Sequence, residues 1–101
     1  MEEDLRVVRE KFLSDCSPEI TFWTCNSVSC RNIFELISAI EGMSEYCFRY
    51  HVNDDKKKND FAHWIRNVLG DWVLAERLHA IREKDRYVDV IKERIKELES
   101  A

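Results

Sequence analysis

Two histidines, three aspartates and three lysines fall in the stretch YHVNDDKKKNDFAHW, which runs from Tyr50 to Trp64. Such a set can ligate a metal, move a proton, or end one helix and begin another. His51 lies on the apolar side of a short helical pattern, close in sequence to Asp60, so a ring N–H can reach that carboxylate once the loop between them folds back. Buried, the pair is a structural bond between two helices. In a cleft it is a ligand-binding pair, with Tyr50, Trp23 or Trp64 as apolar neighbours. His63 falls nearly opposite the apolar stripe of its helix, beside Asn59 and Asn67, and reads as solvated. Asn59 suits an N-cap, and Asp60 just inside it gains from the positive end of the helix.

A second set is metal-like. Cys25-x4-Cys30 followed by Cys47-x3-His51 offers three thiolates and an imidazole, a chemically legitimate zinc set. The first pair lacks the two-residue knuckle spacing that makes a zinc reading strong, so the favoured reading is buried thiols and a hydrogen-bonded histidine. A cysteine beside a histidine can also carry acyl transfer, because the imidazole lowers the thiol pKa and shuttles its proton. No nucleophile elbow, glycine-rich phosphate loop or His-Glu-x-x-His accompanies it, so no catalytic residue is expected. The helix–Gly70–helix pattern over residues 62–82 fails as a helix-turn-helix: Arg66 stands where a small side chain is needed, and acidic Asp71 follows the glycine.

Charge supports that exclusion. The net charge is −4, and the first half of the chain carries the excess of acid, whereas phosphate-backbone binding needs a positive surface. No apolar run approaches the roughly 20 residues that span a bilayer. No charged-then-apolar leader is read at the opening. The cysteines Cys16, Cys25, Cys30 and Cys47 are therefore expected to be reduced thiols of a cytoplasmic protein.

The elements that must position these residues are mostly helical. The chain has 45% apolar and 36% charged residues but only two glycines and one proline, too few turn-formers for an all-β fold. Leu5, Val8 and Phe12 form the stripe of a first helix, with Glu2, Glu3 and Asp4 at its start, and Ser17-Pro18 ends it. Residues 20–25, ITFWTC, favour an extended segment or half of a small ribbon. Ile33, Phe34, Leu36, Ile37 and Ile40 predict a buried helix, capped by Asn32 with Glu35 and stopped at Gly42. Ser44 caps a short helix whose Cys47, Tyr50 and His51 share one side. Phe61, Trp64, Ile65, Val68 and Leu69 predict a helix ended by Gly70. Asp71 caps the next, with Leu74, Ala75, Leu78 and Ile81 inward. Asp85 caps the last, with Tyr87, Ile91, Ile95 and Leu98 on one stripe and Lys92, Glu93, Arg94, Lys96 and Glu97 on a solvated face. The expectation is a mainly α, single compact domain over residues 1–101, with about five to six short helices and one short strand or extended segment near residues 20–25.

The series Phe48-x2-His51, a polar loop, Asn59-Asp60-Phe61-x2-Trp64-Ile65 and Leu69-Gly70-Asp71-x2-Leu74-Ala75 resembles a family of small prokaryotic, largely archaeal domains of unknown function. The resemblance covers about residues 20–82 and leaves the charged helix, about 85–100, outside. It implies no activity, cofactor or substrate. It carries over His51, Asn59, Asp60, Trp64 and Asp71, but not His63 or the four cysteines as a set.

The expected function is binding to another protein or self-association, with no cofactor. The stripe Tyr87, Ile91, Ile95 and Leu98 is the candidate surface, unless it closes the protein's own core. The competing class is a small-molecule or metal-binding domain using His51 and Asp60, with Asn59 and Trp64 beside them.

Overall fold

The computed structural model describes residues 5–54 and 57–100, with side chains from Val7 onward. The acids expected at the start of the first helix, Glu2, Glu3 and Asp4, and the loop residues Asp55 and Lys56 lie outside the described residues.

Helix α1 (Leu5–Phe12) drops Phe12 fully into the core. A 3-10 turn (Pro18–Ile20) follows, led by the proline, whose fixed φ suits a first helical position. Strands β1 (Phe22–Trp23) and β2 (Ser29–Cys30) then pair antiparallel, Phe22 opposite Cys30 and Trp23 opposite Ser29. The extended segment read from the sequence is therefore half of a ribbon. Thr24 organises its turn: its N–H donates to the Val28 carbonyl at 3.0 Å, and its hydroxyl oxygen accepts from the Val28 N–H at 3.0 Å.

Helix α2 (Ile33–Gly42) starts as expected, the Asn32 side chain accepting from the Glu35 N–H at 2.8 Å. Glu35 reaches back to the Arg31 N–H, one residue before the cap, where a capping box would take the N–H of Asn32 itself. Leu36, Ile37 and Ile40 are buried with Ile33 on one arc of the helix, but Phe34 falls beyond the edge of that arc, about 100° round from Ile33, and faces solvent. Ser44 caps α3 (Glu45–His51), which buries Cys47 and His51 and leaves Tyr50 exposed. The polar loop that follows is a second ribbon, β3 (Val52–Asn53) against β4 (Lys58–Asn59).

The helix predicted over residues 61–69 divides in two. Asn59 caps α4 (Asp60–Trp64), and Ile65–Leu69 then widens into a π-turn. Gly70, at φ 77°, closes it: the N–H groups of Gly70 and Asp71 both reach the Ile65 carbonyl. Asp71 caps α5 (Trp72–Leu78). The last helix, α6 (Lys84–Glu99), begins after Glu83 with no side-chain cap, and Asp85 lies inside its first turn.

On helix α6 the sequence left two readings of the apolar stripe open, and its reading of Arg94 is corrected. Tyr87, Ile91, Ile95 and Leu98 are all buried against α1, α2 and α5, so the stripe closes the protein's own core. Arg94 is not on the solvated face. It is 2% exposed, and its guanidinium meets the fully buried Asp71 carboxylate through Nε at 2.8 Å and Nη2 at 3.0 Å. This two-pronged pair fixes α6 to the start of α5. The Cα radius of gyration, 12.9 Å, is that of a single packed domain of this length.

Candidate functional site

His51 ends α3 and faces the ribbon formed by β1 and β2. Its Nδ1–H donates to Asp60 Oδ2 at 2.9 Å, while Nε2 accepts from the backbone N–H of Cys25 at 3.0 Å. The second bond decides the tautomer, since a nitrogen that accepts an amide N–H carries no proton of its own. The ring sits among Phe22, Phe61 and Tyr50, with centroids 4.9 to 5.3 Å away. Both nitrogens are thus engaged within the chain. Asp60 is only partly buried and also meets Lys58 Nζ at 3.1 Å, and that ammonium caps the Tyr50 ring 4.0 Å from its centroid. The sequence-predicted pair exists, and its outer half is Asp60.

Asn59 does more than cap α4. Its Oδ1 accepts from the Ala62 N–H and from the Tyr87 hydroxyl at 2.6 Å, and its Nδ2 donates to the Leu78 carbonyl at 3.0 Å. Burial pushes the Tyr87 phenol far above its ordinary range, so this hydroxyl stays a donor. Trp64 is buried and donates its indole N–H to the Ile20 carbonyl at 2.7 Å, anchoring the base of the first ribbon. Asn59 and Trp64 are therefore joints of the fold, with their polar atoms turned inward.

The cysteines divide differently from the expectation of four reduced thiols. Cys25 and Cys47 form a disulfide across 6.0 Å between Cα atoms, a separation within the usual range. The ribbon's return past α3 brings them together, and the bond removes the argument that led from free thiols to a cytoplasm. Cys30 is buried elsewhere, its thiol directed at the Glu35 carbonyl, so it does not complete the expected zinc set. Burial, reinforced by the Glu35 charge, raises that thiol to about 11. Sulfurs of Cys25 and Cys47 and a ring nitrogen of His51 do cluster, within 4.8 Å of one another.

Two surfaces stand out. A cleft of about 410 Å³ between the second ribbon, α4 and α5 is edged by Lys57, Lys58, Asp60, His63, Arg66 and His79. Asn59, Glu76 and the small apolar side chains of Ala62 and Ala75 complete its lining, and it is open to solvent. The other is aromatic. Ile20, Trp23, Val28, Phe34, Tyr46 and Tyr50, most of the exposed large apolar side chains among the described residues, come from the 3-10 turn, the first ribbon with its turn, and helices α2 and α3. Tyr46 and Tyr50, one turn apart, frame with Arg49 and Asn53 a hollow of about 190 Å³. Sequence reasoning passed over this surface because it sorted apolar residues into the core by default.

With this geometry in place, comparison with known proteins gives one match, to a family of unknown function, over residues 15–100. The chain belongs to that family, DUF5752. The matched span takes in the charged helix α6, which the resemblance read from the sequence had left outside. No curated protein and no solved structure matches the chain. Among the described residues, no helix is long and apolar enough to cross a membrane.

Proposed function

We propose that the domain is a protein-binding module, and that its contact surface is the aromatic face of α3 and the first ribbon. One observation carries this. Tyr46 and Trp23 are 81% and 62% exposed, yet they stand on elements pinned by the Cys25–Cys47 bond, the His51 hydrogen bonds and the Trp64 anchor. Tyrosine, tryptophan and arginine are the residues enriched in interface hot spots, and a rigid platform loses little entropy when it binds.

Charge and size select the occupant. Arg49 lies between the two tyrosines and has no ion-pair partner among the described residues, so it favours a carboxylate. The hollow beside it suits one side chain, and is below the roughly 300 Å³ at which small-molecule pockets begin. The occupant is a protein segment pairing an aspartate or glutamate with an adjacent apolar side chain. A small-molecule site on His51 and Asp60 has less support, since in this state both ring nitrogens of His51 are engaged within the chain and the cleft beside Asp60 is edged mainly by charged and polar side chains.

The test uses a displayed random-peptide library selected on the full chain. Selected peptides should share an acidic residue beside an aliphatic or aromatic one, shift the amide resonances of α3, and lose at least tenfold in affinity to Arg49→Glu. Peptides that bind Arg49→Glu and Tyr46→Ala as well as wild type, or that shift His63 and His79 instead, would refute the assignment.

A further inference from the structure

The cluster of Cys25, Cys47 and His51 has a use that the disulfide alone does not explain. We infer that, with the disulfide reduced, Cys25, Cys47 and His51 bind one zinc-class divalent ion, so that this corner of the fold alternates between a disulfide and a metal centre.

The geometry is nearly that of a site. The three ligating atoms lie within 4.8 Å of one another, and in a tetrahedral zinc centre they stand about 3.5–4 Å apart, given bonds near 2.0–2.3 Å. Cys47 and His51 are one turn apart on α3, which aims both at the same point. His51 holds its proton on Nδ1 and gives it to Asp60, leaving Nε2 as a lone pair directed at the cysteine side. A ligating histidine whose other nitrogen donates to a carboxylate is the usual arrangement of metal centres, because the carboxylate fixes the tautomer and raises ligand basicity.

The chemistry balances. A dithiol reductant gives two electrons to the Cys25–Cys47 bond and becomes a disulfide itself, and its two protons end on the two sulfurs. The metal ion displaces those protons and accepts both thiolates, while His51 exchanges the Cys25 N–H for the ion at Nε2. Two thiolates, a neutral imidazole and a divalent cation sum to zero charge, which suits a corner where Cys47 and His51 are buried. Cys25 is exposed, so a reductant can reach the bond, and the freed amide can turn to water. Thiolate ligands favour zinc over magnesium or calcium. Three protein ligands leave the fourth position to water.

The experiment reduces the full chain with a phosphine, which competes little for metal, and titrates it anaerobically with cobalt(II), then zinc. The expected result is one cobalt per chain with a thiolate-to-cobalt charge-transfer band, displaced by zinc and missing from the oxidised protein. Zinc should shield Cys25 and Cys47 from alkylation while Cys16 reacts, a readout that needs no variant. Asp60→Asn should weaken binding about 10–100-fold, Cys30→Ser should leave it unchanged, and Cys25→Ser should abolish the band. Reduced wild type without the band, an unchanged band in Cys25→Ser, or protection of Cys16 and Cys30 in place of the predicted pair overturns the inference.

Discussion

Replacing Arg94 by methionine should be among the most damaging single changes on α6, and a second substitution should repair most of the damage. The Arg94 and Asp71 side chains are 3% and 0% exposed and share two charge-assisted hydrogen bonds at 2.8 and 3.0 Å. Methionine fills much of the arginine stem but leaves the Asp71 carboxylate buried with only the Leu74 N–H, at 3.2 Å. Breaking a buried pair from one side costs about 3–5 kcal/mol. For a domain of this size that is a urea midpoint lower by roughly 2–3 M, at a slope of about 1.5 kcal/mol per molar. Adding Asp71→Asn removes the stranded charge and keeps a side-chain oxygen for the Leu74 N–H, since asparagine caps helices as well as aspartate does. The double variant should therefore lie within about 2 kcal/mol of wild type, well short of the sum of the two single costs, so the double-mutant cycle should show a coupling of at least about 2 kcal/mol. Chemical denaturation followed by tryptophan fluorescence and by circular dichroism measures it. An Arg94→Met cost below about 1 kcal/mol, or a double variant as unstable as the sum of the singles, would show that the pair is not the buried joint described above.

Three smaller tests address other parts of the fold. His51→Ala should cost about 2–3 kcal/mol by urea titration, from two lost hydrogen bonds and a vacated ring position, moderated because Asp60 keeps Lys58 and some water; an unmoved midpoint would contradict the role assigned to the ring. The Glu97 carboxyl is held below its ordinary value by its hydrogen bonds to Arg77, so its stabilisation is present above the unfolded value near 4.5 and lost as the pH falls through the lower folded value. Arg77→Ala should raise the Glu97 midpoint toward 4.5 in a carbon-detected NMR titration and remove that part of the acid dependence. Because burial and Glu35 lift the Cys30 thiol to about 11, Cys30 should alkylate far more slowly at pH 8 than half-buried Cys16, as peptide mass mapping would report.

What could be read from the sequence was local. Asn32, Ser44, Asn59 and Asp71 each cap the helix expected of them, because a cap is settled within four residues. His51 and Asp60 were legible as a pair because the ribbon that joins them is short. Distant partnerships were not legible. Arg94 reads as one more surface charge in a run of charges until the start of α5 is known to hold a buried carboxylate. The Cys25–Cys47 bond depends on the ribbon's turn, which Thr24 sets and no residue pattern announces. Phe34 was placed inward because the apolar run was longer than the buried face. The same habit hid the aromatic surface, since amphipathic periodicity says which residues can be buried and not which are.

Asn59 has a consequence in time as well as in space. Its side chain joins Ala62, Leu78 and Tyr87, at sequence separations of 3, 19 and 28 residues. The first bond forms with α4 itself, but the other two exist only after α5 and α6 have docked, and the loops they close must be ordered first. The amide therefore works as a latch that is set last. If the two long-range bonds form after the folding barrier, loosening the amide shortens the lifetime of the native state more than it slows folding, and the three-helix corner sets this small protein's persistence more than its speed of assembly.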